Sequence, residues 1–379
     1  MRRRRATALG VIVVAVGVGV TFALRSGGGG AGSAAAAATT SVATHAAAPA
    51  RPATAVAMRT VRITVVGDTV MGTPEYGLPP DGGASFFSAV RPLLAGDVVL
   101  GNLEGTLTTT DGSKCGSGSP NCFAFRTPPS YARWLKQAGF TVMNLANNHA
   151  DDFGGTGERQ TVAALDAVGV RHTGRPGEVA RQTVRGVRVA LLGFAPYPWA
   201  NSLTDLAEVR RRVTAAKRGV DIVVVMAHAG AEGSGATHVR PGTEFFLGEN
   251  RGDPEAFART AVTAGADLVV MSGPHVLRGM AFRDGHLIAY SLGNFGGYKV
   301  FGLNSTTATS GVLQVTLRSD GRFVRARLRP TVLAGAGVPA PGGDGPSMVA
   351  ALSKEDFGAS AARVDVAGNI RPPAAQTSG

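Results

Sequence analysis

The chain has 379 residues, 44% of them hydrophobic and 17% charged, a length and balance that allow one large core or two smaller ones and exclude wholesale disorder. Its formal charge is +12, but six of the 38 basic residues and no acidic one fall in the first 58 positions, leaving 32 basic against 26 acidic residues beyond them. That mild excess, with no Lys/Arg run or aromatic-interleaved basic stretch in the body of the chain, excludes nucleic acid as an expected partner.

The amino terminus reads MRRRR followed by 19 uncharged residues, Ala6 to Leu24. An apolar run of this length spans a bilayer, and the arginines before it stay cytoplasmic. Residues 1–25 are therefore expected as a signal-anchor at the cell membrane with everything after Arg25 extracytoplasmic; secretion after cleavage at a small-residue site such as Ala55-Val56-Ala57 is the competing expectation. Residues 26–58 are low-complexity Gly, Ala, Thr and Pro and read as a disordered, flexible linker.

The folded domain is expected over residues 59–335. Val61–Asp68 reads as a strand ending in Gly67-Asp68, Ser85–Gly96 as a short amphipathic helix interrupted at Pro92, and Asp97–Gly105 as a strand ending in Asn102 and Glu104. Cys115 and Cys122 follow in a Gly/Ser-rich loop with six residues between them. In an oxidising compartment a disulfide is the default, contributing about 2–3 kcal/mol in the chain-entropy model. Half of a zinc site is the rival reading, disfavoured because no further Cys or His lies near them in sequence.

Pro128–Gly139 has proline at its start and glycine at its end, as helices prefer. It leads into TVMNLANNHADDFG (Thr141–Gly154), an apolar strand buried on both faces that ends in Asn147, Asn148, His149, Asp151 and Asp152, side chains able to bind a metal or move a proton. A helix is expected over Thr156–Gly169, a strand over Arg188–Pro196, a helix over about Leu203–Arg218 and a strand over Asp221–Glu232. The long loop through Gly252 is expected to hold a lid or substrate contacts.

Asp253–Gly265 reads as a helix capped by its aspartate, with proline behind it. Ala266–Val276 and His286–Phe295 read as strands, and Gly311–Pro330 as a hairpin turning at Asp320-Gly321. Residues 336–379 are expected as a partly disordered C-terminal extension with one helix around Ser347–Phe357. Alternating strands and helices over about 270 residues imply an α/β domain with a largely parallel sheet and a mixed edge or second sheet.

Singly, each polar cluster fits an ordinary structural role: Asp68 a turn residue, Asn148 a helix cap, His228 a satisfied histidine under a sheet. Together they follow a rule. Asp68, Asn102 with Glu104, Asn148 with His149, His228 with Glu232, His275, and Ser291 with Asn294 all follow strand-like apolar runs at the carboxyl end. That is where open α/β sheets build their sites. Imidazoles beside carboxylate and amide oxygens suit a divalent ion of the zinc, manganese or iron type.

The ordered set GD, NLEG, ANNHADDFG, HAGAE, GPHV and YSLGNF, spanning about Arg62 to Leu328, closely resembles the CapA family, named for capsule and poly-γ-glutamate synthesis. The resemblance implies a metallophosphoesterase-like sandwich of two mixed β-sheets flanked by helices. It implies metal ligands at Asp68, Asn102, Glu104, Asn148, His228 and His275, with His149 assisting the leaving group. Asp151 and Asp152 are expected to fix the His149 tautomer, capping of the following helix being the alternative for Asp152. Glu232, Ser291 and Asn294 are expected to contact substrate; His238 is expected to be exposed and silent. Val70, Asn102 and Ser272 depart from the metallophosphoesterase pattern, standing where a histidine, an aspartate and a histidine are usual, so one metal or a weakly held pair is expected rather than a full two-metal centre. Two functions follow: a membrane-anchored metal-dependent hydrolase or transferase acting on an anionic envelope polymer or its precursor beside membrane proteins of capsule synthesis, or a non-catalytic polymer-binding or export module keeping the same fold.

Overall fold

Residues 59–116, 122–303 and 306–374 are described by a computed structural model. The expected anchor, linker and extreme carboxyl terminus lie outside them. Among the described residues no helix is long and apolar enough to cross a membrane.

The first strand shows how the architecture arises. In β1 (Thr60–Val70) the alternate residues Val61, Ile63 and Val65 enter the interior between two sheets, while Val66 joins an apolar layer on the opposite face. β1 pairs in parallel with β2 (Val98–Leu103), which pairs with β5 (Val142–Asn144), and that with β6 (Arg171–Thr173). On its other side β1 runs antiparallel to β16 (Thr309–Arg318), followed outward by β17 (Phe323–Ala334), β20 (Asn369–Arg371) and β19 (Arg363–Val364), with β18 (Val338–Pro341) also on β17. The β16–β17 hairpin turns at Asp320-Gly321, where Gly321 has φ +83°. The second sheet has the order β13 (Met280–Arg283), β14 (His286–Ala289), β12 (Leu268–Ser272), β9 (Ile222–His228), β8 (Val187–Phe194) and β7 (Ala180–Val184), parallel in its middle and antiparallel at both edges. A two-stranded patch joins β3 (Thr106–Leu107) to β4 (Arg126–Thr127).

Apolar side chains of both sheets, among them Leu191, Val224, Leu268 and Leu313, fill the space between them without exposure. α1 (Ala132–Ala138) and α2 (Gly154–Ala167) cover the outer face of the larger sheet, α3 (Leu206–Lys217) and α4 (Pro254–Thr263) that of the smaller. Their ends follow local chemistry: α1 stops at Gly139 in the left-handed region, Asp205 accepts from the Ala207 and Glu208 amides of α3, and Asp253 accepts from the Ala256 amide ahead of Pro254 in α4.

Several expectations are corrected. Ser85–Gly96 forms turns and a 3-10 segment at Arg91–Leu94 instead of an α-helix; Pro92 lacks the amide a longer helix needs, and the segment still buries Phe86, Phe87 and Leu94. The long loop before α4 contains a small hairpin, β10 (Phe245–Phe246) with β11 (Glu249–Asn250). The stretch after 335 is continuous with the domain: β18 and β20 extend the large sheet, and α5 (Gly345–Phe357) places Val349 in the core between the sheets.

The expected strand over His286–Phe295 is two strands in different sheets. β14 ends at Ala289, the chain crosses at Gly293 (φ +67°), and β15 (Asn294–Gly297) pairs with β1. The crossing needs Gly67 opposite it, since a Cβ there would lie 1.9 Å from the Gly293 carbonyl oxygen. This seam between sheets is where the site forms.

Candidate functional site

Both sheets deliver polar side chains to the seam. From the larger come Asp68 at the end of β1, Asn102 in β2 with Glu104 just after it, Asn144 in β5 and Asn294 opening β15. From the smaller come His228 closing β9, Glu232 beyond it and His275 after β12. Asp68, Glu104 and His275 each offer a ligand atom, all within 4.8 Å of one another. His275 Nε2 lies 3.6 Å from Glu104 Oε1 and 3.6 Å from Glu232 Oε2, and its Nδ1 lies 3.3 Å from Asp68 Oδ2. His228 places Nδ1 3.7 Å from Asp68 Oδ1 and Nε2 4.0 Å from Glu104 Oε1.

Hydrogen bonds to main-chain groups orient the amides. Asn294 donates to the carbonyls of His275 and Thr307, both at 3.1 Å, so its oxygen faces His275 Nδ1 at 2.9 Å. This puts a proton on Nδ1 and leaves Nε2 facing Glu104 and Glu232. The same contact supports His275 in its left-handed conformation, φ +60°, which a non-glycine residue keeps only when its surroundings insist. Asn147 accepts from the His149 amide at 3.0 Å and donates to the Leu103 carbonyl at 2.8 Å, so its NH2 group also donates to Asn102 Oδ1 at 3.2 Å; Asn144 donates there too, at 2.9 Å. Asn102 must then turn its NH2 to Asp68 Oδ1, at 2.8 Å. The ligand role expected of Asn102 is corrected by this geometry: its oxygen is taken, and it aligns Asp68 instead.

The electrostatics are unbalanced. Burial penalises the charge on Asp68, but His228 and His275 outweigh it and hold the carboxyl far below the ordinary range. Burial pushes Glu104 well up, assisted by Asp68 and Glu232 and opposed by His275. Burial also disfavours a proton on His275, yet Glu104, Asp68 and Glu232 prevail and push it up to about 10. Burial dominates at His228 and lowers it. Both Glu104 oxygens, His228 Nε2 and Asn148 Oδ1 are buried with no hydrogen-bond partner among the described residues. Such atoms cost about 1–3 kcal/mol each, more when charged. A cluster with more buried carboxyl groups than cations, unused oxygens and an oriented imidazole fits a divalent cation.

His149 stands at the mouth of the site. Its Nδ1 meets Asp152 Oδ2 at 2.9 Å and its ring packs on Phe125, centroids 4.3 Å apart. Burial holds its pKa below the ordinary value, with Asp152 opposing. Asp152 also accepts from the Phe125 amide and pairs with Lys114 at 2.8 Å. It does not cap α2, which has no side-chain cap. Lys114 adjoins the disulfide between Cys115 and Cys122, whose Cα atoms are 5.5 Å apart. An open pocket of about 480 Å³ leads outward, lined by His149, Asn148, Lys114, Trp199, Glu232 and Arg251 among others.

Two expected site residues differ in role, and a third keeps its place. Ser291 is fully buried and accepts from the Gly293 amide at 3.1 Å, so it shapes the crossing instead of contacting substrate. Asn294 positions His275. Glu232 does line the pocket, but its carboxylate is engaged by Arg251. His238, half-exposed, meets Asp356 of α5 at 2.7 Å. Sequence reasoning missed Asn144 and Arg251. A polar residue inside the apolar run before Ala146 signals the first; the second lies in the long loop expected to hold a lid or substrate contacts, where no pattern singles it out.

These features define a mixed α/β sandwich with a candidate divalent-metal site at the carboxyl ends of its strands. The family model described as "Bacterial capsule synthesis protein PGA_cap" matches residues 62–298, and the chain belongs to that family. It is 31% identical over 287 residues to the capsule biosynthesis protein CapA of Bacillus anthracis, covering 69% of this chain and 65% of the relative. It is also 31% identical over 276 residues to the PGA biosynthesis protein CapA of Bacillus subtilis, covering 68% and 67%. The chain thus spans about two thirds of these relatives' length. Among solved structures it is similar to the NAD nucleotidase of Haemophilus influenzae, at 14% identity and a TM-score of 0.39, covering 78% of this chain and 56% of that one.

Proposed function

We propose that this protein is a metal-dependent hydrolase or transferase of capsule or poly-γ-glutamate synthesis, anchored in the cell membrane by residues 1–25 and acting outside the cytoplasm on an anionic polymer or its precursor. One observation carries the reading: Glu104, buried with two oxygens that have no hydrogen-bond partner among the described residues, beside Asp68 and His275. These three, with His228 Nε2 and Asn148 Oδ1, would hold a manganese, zinc or iron ion. The chemistry such an ion supplies is Lewis acidity, which lowers the pKa of water toward about 7 and polarises an acyl or phosphoryl oxygen. Asp152 holds the proton of His149 on Nδ1, leaving Nε2 to take a proton from an attacking water and return it to the leaving group. Burial keeps that imidazole neutral and ready to accept. The disulfide supports an extracytoplasmic location.

The commitment of Asn102 to the amide network favours a second reading, a polymer-binding module without turnover, because it leaves fewer ligands than a two-metal centre uses. Purified full-length protein separates the two. Stoichiometric metal by elemental analysis, with turnover of the polymer abolished in His149→Ala, supports the enzyme; metal-free protein that still binds polymer overturns it in favour of the module.

A further inference from the structure

Arg251 belongs to no expected ligand set, yet with Arg278 it is one of the two largest fully buried side chains among the described residues, 1% exposed. Its Nη1 pairs with Glu232 Oε1, and its Cζ lies 5.9 Å from the ring centroid of Tyr197, itself stacked on Trp199 at 5.0 Å. Nε and Nη2 have no hydrogen-bond partner among the described residues. Those two nitrogens form the edge of a guanidinium whose parallel N–H groups grip a carboxylate or phosphate in two hydrogen bonds. A buried charged donor left open in this way carries a desolvation cost that an oxyanion ligand removes. Arg251 lines the same pocket as His149.

We infer that the open edge of Arg251 is an oxyanion subsite that anchors the substrate beside the metal cluster. Glu232 sets the spacing: one of its oxygens holds Arg251 while the other lies 3.6 Å from His275 Nε2. An oxyanion on Arg251 is therefore one carboxylate away from the candidate metal ligands. Identifying the oxyanion as a carboxylate of a γ-linked glutamyl unit rests on the proposed function; the subsite itself does not.

Calorimetric binding with the full-length chain tests both parts. A short γ-linked glutamate oligomer should bind at least tenfold more tightly than the same oligomer with its free carboxylates amidated, an arm that needs no variant. Arg251→Lys, which keeps the charge but loses the fork, should weaken the oligomer roughly tenfold to a hundredfold. If inorganic phosphate binds in an Arg251-dependent manner while the oligomer does not bind, the subsite stands and the glutamate reading falls. If the oligomer binds wild type, its amidated form and folded Arg251→Lys equally well, the subsite is wrong while the polymer reading survives. Failure of both oligomer and phosphate to bind wild type overturns the subsite.

Discussion

The interior between the sheets and the crevice at the strand ends are built from the same strands, and the deepest residues of both are fully buried. In β1, Val61, Ile63 and Val65 are fully buried among apolar neighbours; a few residues on, Asp68 is just as buried among imidazoles and amides. Exposure therefore does not separate core from site. What separates them is the state of their bonds: the interior is lined by apolar side chains that need no hydrogen bond, whereas the crevice leaves the Glu104 oxygens, His228 Nε2 and an edge of Arg251 without a hydrogen-bond partner among the described residues. A fold tolerates such atoms where a ligand completes them.

That contrast can be broken at each place. The largest effect is expected at the mouth, where His149→Ala should lower turnover of poly-γ-glutamate by about 10²- to 10⁴-fold while metal content stays unchanged. Loss of the metal together with the activity would make His149 a ligand instead. Next is the interior: Leu191→Ala should destabilise the fold by about 2–5 kcal/mol in urea unfolding, with metal stoichiometry per folded molecule intact. A loss below about 1 kcal/mol would mean that the sheets are not packed as described. Third is Glu104→Gln. Wild-type protein should gain about 2.7 kcal/mol of stability when manganese is raised to a hundredfold over its Kd, and the variant should lose this gain. Its metal-free melting temperature should hold or rise, because a carboxyl whose charge burial disfavours is replaced by a neutral group of the same shape. A marked fall in the metal-free form would show that Glu104 is already satisfied there.

Periodicity made the interior legible, because an alternating or continuous apolar run bounded by glycine buries its side chains well only as a strand against a core; β1, β2, β9 and β12 follow directly. The ends of those runs marked Asp68, Glu104, His228 and His275. The partners of those residues were not legible. Asn102 matches a ligand position in sequence, and only the main-chain contacts of Asn147 reveal which way its amide points. His286–Phe295 reads as one strand because burial on both faces looks the same in either sheet, and the glycine that ends it is inseparable in sequence from a bulge. Arg251 comes from a hairpin-bearing loop with no period, so its position follows from tertiary packing alone.

The smallest expected effect concerns charges that are only partly buried and face opposite charges, intermediate between interior and crevice. His172 in β6 places Nδ1 2.7 Å from Glu178 Oε1, and Arg175 approaches the same carboxylate at 2.8 Å. Burial works against the Glu178 charge, but His172 and Arg175 prevail and lower it from its ordinary 4.5 to about 2. The contact with Glu178, opposed by burial, raises His172 above its ordinary 6.5. A lowered carboxylate contributes stability that is present above 4.5 and lost as pH falls toward 2; a raised imidazole contributes stability that is present below 6.5 and lost as pH rises through its folded value. The pair should therefore stabilise most between about pH 4.5 and 6.5. Glu178→Gln should cost about 1 kcal/mol there and less on either side, the contact with Arg175 keeping part of the effect at high pH. A difference in melting temperature that stays flat from pH 3 to 9 would show that the pair does not titrate with folding, and would leave the crevice as the place where buried charge governs stability.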